Sequence, residues 1–285
     1  MVVNIRSELF FLKQFGFSAK LLESIFLLEY SPINAIFDAG SPEHFHVDSD
    51  FTEKDRMLSS SYPDYLKLKK DMFQNEPFLQ ANGVNKIYFK YDENLITELL
   101  PEKIMPLFMY CKGNIELLNN TRKRVAIVGT RNPSKVAIEN AELITEKFIK
   151  DRHIIVSGLA EGIDTVVHET ALNFDGDTIA VLPTSFNSIY PKKNMKLAND
   201  IAERGLLVSA IGPNENTYKS TFLERNQYVA GISDIVFVIE TSERSGTMNT
   251  IRNARNLGKK ILYMKQLDDS VNDIIEDMGG ELFEI

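Results

Sequence analysis

From Val125 to Met264, short β-branched runs recur at 125–128, 153–157, 178–182, 206–209, 235–240 and 260–264, separated by helix-length segments. This alternation predicts an α/β fold: an open, mostly parallel sheet with right-handed crossovers and helices on both faces. Ligands of such sheets bind beyond the carboxyl ends of the strands, so the residues after each run are the candidate site. Two of these stretches stand out, Val125-Ala-Ile-Val-Gly-Thr-Arg131 and Ile154-Ile-Val-Ser-Gly-Leu-Ala-Glu-Gly-Ile-Asp164. Each ends a strand in a glycine turn where a helix begins, and Arg131 adds a fixed cation, which favours an anionic ligand such as a phosphate.

Ahead of this region the pattern is different. Residues 5–75 read as short helices, with Ser7–Gln14 and Ala19–Leu28 as the clearest, the second capped by Ser18. Ser31-Pro32 and Ser41-Pro42 repeat the signal of a cap followed by proline at the first helical position. From Asn85 onward, Ile87-Tyr-Phe-Lys-Tyr and Pro106-Leu-Phe-Met-Tyr read as strands around a helical stretch at Asn94–Leu100, and Ile274–Ile285 reads as a short tail. The expected organisation is a small helical N-terminal domain over residues 1–80, followed by a Rossmann-like domain over 81–285.

The 285 residues carry a formal net charge of -8, so a nucleic-acid partner would have to be held by a local basic face rather than by global attraction. No apolar run reaches the ~18 residues of a membrane span, and Met1-Val-Val-Asn-Ile-Arg lacks the order of a secretory leader. The single cysteine, Cys111, excludes an intramolecular disulfide and a cysteine-rich zinc site. A cytoplasmic protein with no membrane association is expected. No cofactor and no metal are expected either. After Gly129 the chain offers Thr130-Arg131-Asn132-Pro133 in place of the dinucleotide fingerprint, and nothing completes a metal site around His44 and His46.

The candidate site gathers from several turns. Arg131 presents a planar fork suited to phosphate oxygens, although pairing with a carboxylate at a sheet edge is an equally good reading. Ser157 and Gly158 open the second turn, where Asp164 can cap the next helix and the glycines can serve packing alone. Ser245, Gly246 and Thr247 repeat the arrangement at another strand end, either offering hydroxyls to an anion or capping a helix. Lys192, Lys193 and Asn194 form a basic loop that can also be plain solvated surface. Lys219, Phe222 and Arg225 recur every third residue, which on a helix groups cation, ring and cation on roughly one side and suits a single strand. For a lone phenylalanine at helical spacing, burial in the core is the commoner role. His168, one turn beyond Asp164, reads as a structural hydrogen-bonding residue, and no Gly-x-Ser-x-Gly nucleophile elbow occurs.

Together these segments resemble the DNA-processing protein A (DprA/Smf) family from about Tyr88 to Met264. The motifs are Val125–Arg131, Ser157–Asp164 with His168 and Ala171-Leu172, Thr178-Ile-Ala-Val-Leu, Tyr190-Pro191 with Asn194, Phe222–Asn226 with Ala230-Gly231, and Ser245-Gly-Thr. The resemblance implies an extended Rossmann-like domain that binds and protects single-stranded DNA, forms a homodimer, and loads the RecA recombinase during natural transformation. It also implies that the turn of Gly129, Thr130 and Arg131, together with Lys219 and Arg225, holds phosphates. Phe222 would contact a base, and Asn226 and Arg244 would extend the same surface. Three positions depart from the family pattern: Gln227 replaces a cation of the usual Arg-Asn-Arg, Ala210 replaces an acid after the fourth Rossmann strand, and Asp92 replaces the proline of a Tyr-Pro pair.

The leading expectation is a non-enzymatic DNA binder. The alternative is a nucleotide-binding sensor or nucleotide-cleaving enzyme with Glu240 or Asp164 as acid or base. Against the enzyme, Ser245-Gly-Thr-Met-Asn-Thr lacks the denser glycine turn of phosphoribosyl-cleaving relatives of this fold.

Overall fold

The computed structural model describes residues 4–74, 83–119 and 121–284. Among the described residues, short apolar runs build one sheet of nine strands: β1 Lys86–Phe89, β2 Phe108–Gly113, β3 Arg124–Val128, β4 Ile154–Ser157, β5 Thr178–Leu182, β6 Leu206–Ser209, β7 Ile235–Val238, β8 Lys260–Tyr263 and β9 Gly280–Leu282. Their order across the sheet is β1-β2-β6-β5-β4-β3-β7-β8-β9. All neighbours from β6 to β9 are parallel, while β2 joins β6, and β1 joins β2, in antiparallel fashion. The mostly parallel, Rossmann-like sheet is therefore borne out, with an antiparallel extension at one edge.

The period of two sorts the central strands onto two cores. Ala126, Val128, Val156, Val236 and Val238 pack on one face, and Val125, Ile127, Ile155 and Phe237 on the other. Both faces are covered by helices, which is why these strands are apolar throughout rather than alternating with polar residues.

The amino-terminal segment is helical, as expected. Asn4 caps the helix Ile5–Phe15, Ser18 caps Ala19–Leu27, and the two Ser-Pro signals open Pro32–Phe37 and Pro42–Val47. These helices share a core with β1 and β2, in which Leu9, Leu12, Leu21 and Leu22 pack with Phe89, Phe108 and Tyr110. The boundary expected at residues 80–81 lies outside the described residues.

The carboxyl-terminal stretch differs from the expected tail. The segment folds as the helix Asp269–Asp277 and then β9, which pairs in parallel with β8 through Ile261↔Gly280 and Tyr263↔Leu282. A three-residue strand containing a glycine and a glutamate has no readable period; pairing to an existing sheet edge defines it.

Candidate nucleic-acid interface

The strand order puts a topological switch at β3. The chain runs outward from β3 through β4 and β5 to β6, then returns to place β7 on the other side of β3. The crossovers therefore diverge at the carboxyl ends of β3, β4 and β7, opening a crevice there. A cavity of about 380 Å³ lies in it, lined by Gly129, Thr130 and Arg131 after β3, Gly158 and Ala160 after β4, and Ser245, Gly246 and Thr247 after β7. Asp164, Arg225, Asn226 and Thr250 add polar groups to the wall, and Val128 and Val229 apolar ones.

Hydrogen bonds between the turns hold the crevice together. Thr247 Oγ1 donates to Gly129 O at 3.0 Å, and Asn226 Nδ2 donates to Gly246 O at 3.2 Å. Ser245 caps the helix Gly246–Asn256, its hydroxyl accepting from Met248 N–H at 3.3 Å. The first turn of that helix lines the cavity, and its amide dipoles favour an anion. In the turn after β4 the amides are already used by the protein itself, because Asp164 Oδ2 accepts from Gly158 N–H at 3.2 Å and Ala160 N–H at 3.3 Å. Burial pushes the Asp164 carboxyl up, opposed by the Arg225 charge and these amides.

Arg225 is buried beneath the crevice. Its Nη1 donates to Gly158 O and, at 3.2 Å, to Val181 O, while Nε donates to Asn226 Oδ1 at 3.1 Å. Gly158 is needed for this contact, because a Cβ at that position would strike the guanidinium. On the helix Lys219–Ile232 the three residues spaced by three therefore meet different environments: Lys219 exposed, Phe222 half-buried and Arg225 buried. Phe222 and Arg225 line a second depression of about 100 Å³ beside the first, together with Arg131, Gly158, Pro183, Tyr190 and Pro191. There the Tyr190 ring, half exposed, stands edge-on to Phe222 with centroids 5.4 Å apart. In the sequence Tyr190 stands out only as part of a motif; an aromatic just ahead of a basic pair is the signal for its place here.

The remaining candidates separate. Ser157 is buried and donates to Ile127 O at 2.8 Å, tying β4 to β3. Asn194 is also buried, its Nδ2 donating to Leu159 O at 3.0 Å and Thr165 Oγ1 at 2.8 Å, which holds the Ser157–Asp164 turn from behind. Both lysines are exposed; Lys193 pairs with Glu161 at 3.2 Å. Arg131, Lys192, Lys219 and Arg244 are exposed, and among the described residues none has an ion-pair partner within 4.0 Å.

His168 is fully buried, with Nδ1 2.8 Å from Thr178 Oγ1. The same Thr178 hydroxyl lies 3.2 Å from Ile155 O, which ties the imidazole to β4. Burial, and next the Arg225 charge, push the His168 pKa down to about 3. The unfolded chain takes up this proton near pH ~6.5 and the folded chain does not, so stability should fall as pH drops from there towards 3. His168→Gln is expected to flatten that limb by a few kcal/mol at most, measured as the melting temperature between pH 7 and pH 4. An unchanged profile would remove His168 as its source.

Among the described residues no group of three or more His, Cys, Asp or Glu side chains could hold a metal ion. No described helix is long and apolar enough to cross a membrane. The family described as DNA recombination-mediator protein A matches residues 81–278. The chain belongs to that family. The resemblance carried by the glycine turns is thereby borne out. This family member is 35% identical over 156 residues to DNA processing protein DprA of Bacillus subtilis, covering 55% of this chain and 52% of that protein. With DNA processing protein DprA of Streptococcus pneumoniae it shares 35% identity over 182 residues, 62% of this chain and 63% of the other. The chain thus matches between half and two thirds of these relatives' lengths.

Solved structures agree on the fold. DNA processing protein A from Streptococcus pneumoniae superposes with a TM-score of 0.73 at 27% identity, covering 99% of this chain and 95% of that one. The Helicobacter pylori protein, whose structure was described for its single-stranded DNA binding mode, gives a TM-score of 0.61 at 30% identity, covering 69% and 90%.

Proposed function

We propose that this chain is a non-enzymatic, cytoplasmic DNA-processing protein that binds and protects single-stranded DNA along the carboxyl ends of β3, β4 and β7. In this reading it acts as a homodimer that delivers the strand to the RecA recombinase in natural transformation. The observation that carries the binding step is the combination of exposed cations at Arg131, Lys219 and Arg244, without an ion-pair partner among the described residues, with the helix amino terminus at Gly246 that lines the crevice and the Tyr190–Phe222 ring pair. Cations and amides suit phosphates, and rings suit unstacked bases, which only a single strand offers freely. Family membership and the single-stranded DNA binding of the Helicobacter pylori protein support the same reading.

The acids of the enzymatic alternative have structural duties. Glu240 Oε2 accepts from the Ser134 N–H at 3.0 Å and the Ser134 hydroxyl at 2.8 Å, and Asp164 holds the turn after β4. These duties favour a binding role over acid–base chemistry.

Fluorescence-anisotropy titration with single-stranded and duplex oligonucleotides at two salt concentrations tests the proposal, run beside a mononucleotide-hydrolysis assay. Tighter, salt-sensitive binding of the single strand without turnover is expected. Arg131→Ala and Lys219→Ala should each weaken binding and lower the slope of log affinity against log salt by about 0.7, one released counterion apiece. Unchanged affinity and slope in both variants, or turnover of the mononucleotide, would sink the proposal.

A further inference from the structure

Glu215 lies in the loop that leaves β6 and enters the helix bearing Lys219 and Phe222, four residues ahead of Lys219. Its carboxylate is the hub of a buried cluster shared with the amino-terminal helix Ile5–Phe15. Oε2 pairs with Lys13 Nζ, and the two side chains are 7% and 19% exposed respectively. Oε1 accepts from the Gly212 N–H at 3.1 Å, the Gln14 amide at 3.2 Å and the Tyr110 hydroxyl at 3.3 Å. Gln14 answers on its other atom, where Oε1 accepts from the Asn214 N–H at 3.2 Å. Burial, and then the Glu215 charge, hold the Tyr110 hydroxyl well above its ordinary pKa, so it stays a donor.

The fit leaves no slack. A Cβ on Gly212 would collide with the Gln14 amide, and would lie 2.7 Å from the Tyr110 hydroxyl and 2.8 Å from Glu215 Oε1. Beyond the cluster the character of the loop changes. Asn216, Thr217 and Tyr218 are exposed, and among the described residues Asn216 and Thr217 make no hydrogen bond until Thr221 Oγ1 hooks onto Pro183 O at 3.0 Å. The start of the helix with Lys219 is thus held at two points, Glu215 upstream and Thr221 downstream.

We infer that Glu215 is a positioning residue for the DNA-contacting helix, and that Lys13 and Gln14 of the helical segment are its anchor. The helical segment then contributes to DNA binding without touching DNA, by removing freedom that the loop would otherwise lose on binding. This rests on the reading of Lys219 and Phe222 as DNA contacts. Without Lys13, a buried carboxylate is left without its cation, and the loop must open to hydrate it.

The test uses the full chain, with Lys13→Met, Lys13→Met combined with Glu215→Gln, and Lys219→Ala as reference, in anisotropy titrations of a single-stranded oligonucleotide at several salt concentrations. Lys13→Met should weaken binding about 5- to 10-fold with an unchanged salt slope, because no phosphate contact is lost. The double variant should return to within about twofold of wild type, since the neutral amide introduced by Glu215→Gln can still accept from Gly212 N–H and strands no charge. Wild-type affinity in Lys13→Met, or a weaker affinity with a lowered slope, would overturn the inference. If Lys219→Ala leaves both affinity and slope unchanged, the DNA reading of that helix fails instead. Should Lys13→Met not fold, hydrogen exchange of the wild-type chain decides: the Gly212 and Asn214 amides should be protected. Exchange as fast as at Asn216 and Thr217 would overturn the inference.

Discussion

Arg225→Ala should cost the chain about 3 kcal/mol of stability or more, the range seen when one partner of a buried, hydrogen-bonded charge is removed. The substitution deletes a guanidinium that is 6% exposed and donates to Gly158 O, Val181 O and Asn226 Oδ1. Two buried carbonyls would lose a donor, and Asp164 would lose the cation that opposes the cost of its burial. Because Gly158 opens the turn that lines both depressions, single-strand affinity should fall along with stability. Arg225→Lys should recover only part of either, since an ammonium cannot span two carbonyls and an amide as a planar fork does. Urea unfolding measures the first effect, and a midpoint equal to wild type would show that the guanidinium is free for a phosphate after all.

Phe222→Ala is expected to leave the fold intact and to weaken single-strand binding by ~1–3 kcal/mol, roughly 5- to 150-fold. The ring is half-buried, packed edge-on against Tyr190 at the mouth of the smaller depression rather than within one of the sheet cores. The salt slope should not change, because the ring carries no charge, which separates this variant from Lys219→Ala. Phe222→Leu distinguishes stacking from packing: it keeps most of the apolar volume and loses the flat face. Wild-type affinity in Phe222→Leu would reduce the ring to a packing role.

Much of the candidate site is legible in the sequence, and the reason is topological. A glycine turn at the end of a buried strand has one place to go in a parallel sheet, so Gly129, Gly158 and Gly246 converge once the strands pair in order. Side-chain roles were less legible. Spacing by three put Lys219, Phe222 and Arg225 on one side of a helix, but only packing shows that this side runs from solvent into the interior, leaving Lys219 exposed and burying Arg225. Ser157 and Asn194 look like ligand-facing polar residues in sequence, yet both direct hydrogen bonds to backbone carbonyls of neighbouring elements. The partner of Lys193 is Glu161, 32 positions away, and no local pattern reveals it.

Local chemistry written into the chain therefore determined the helices, their Ser and Asn caps, the parallel strands and the glycine turns at their ends, because periodicity and capping act over a few residues. Tertiary structure alone decided the antiparallel edge of β1 and β2, the pairing of β9, the burial of Arg225 and the cluster of Lys13, Gln14, Tyr110 and Glu215. Each of these depends on groups up to some two hundred positions apart sharing a volume from which water is excluded. There a charge or amide is stable only beside its partner, and which partner that is becomes defined when the sheet forms.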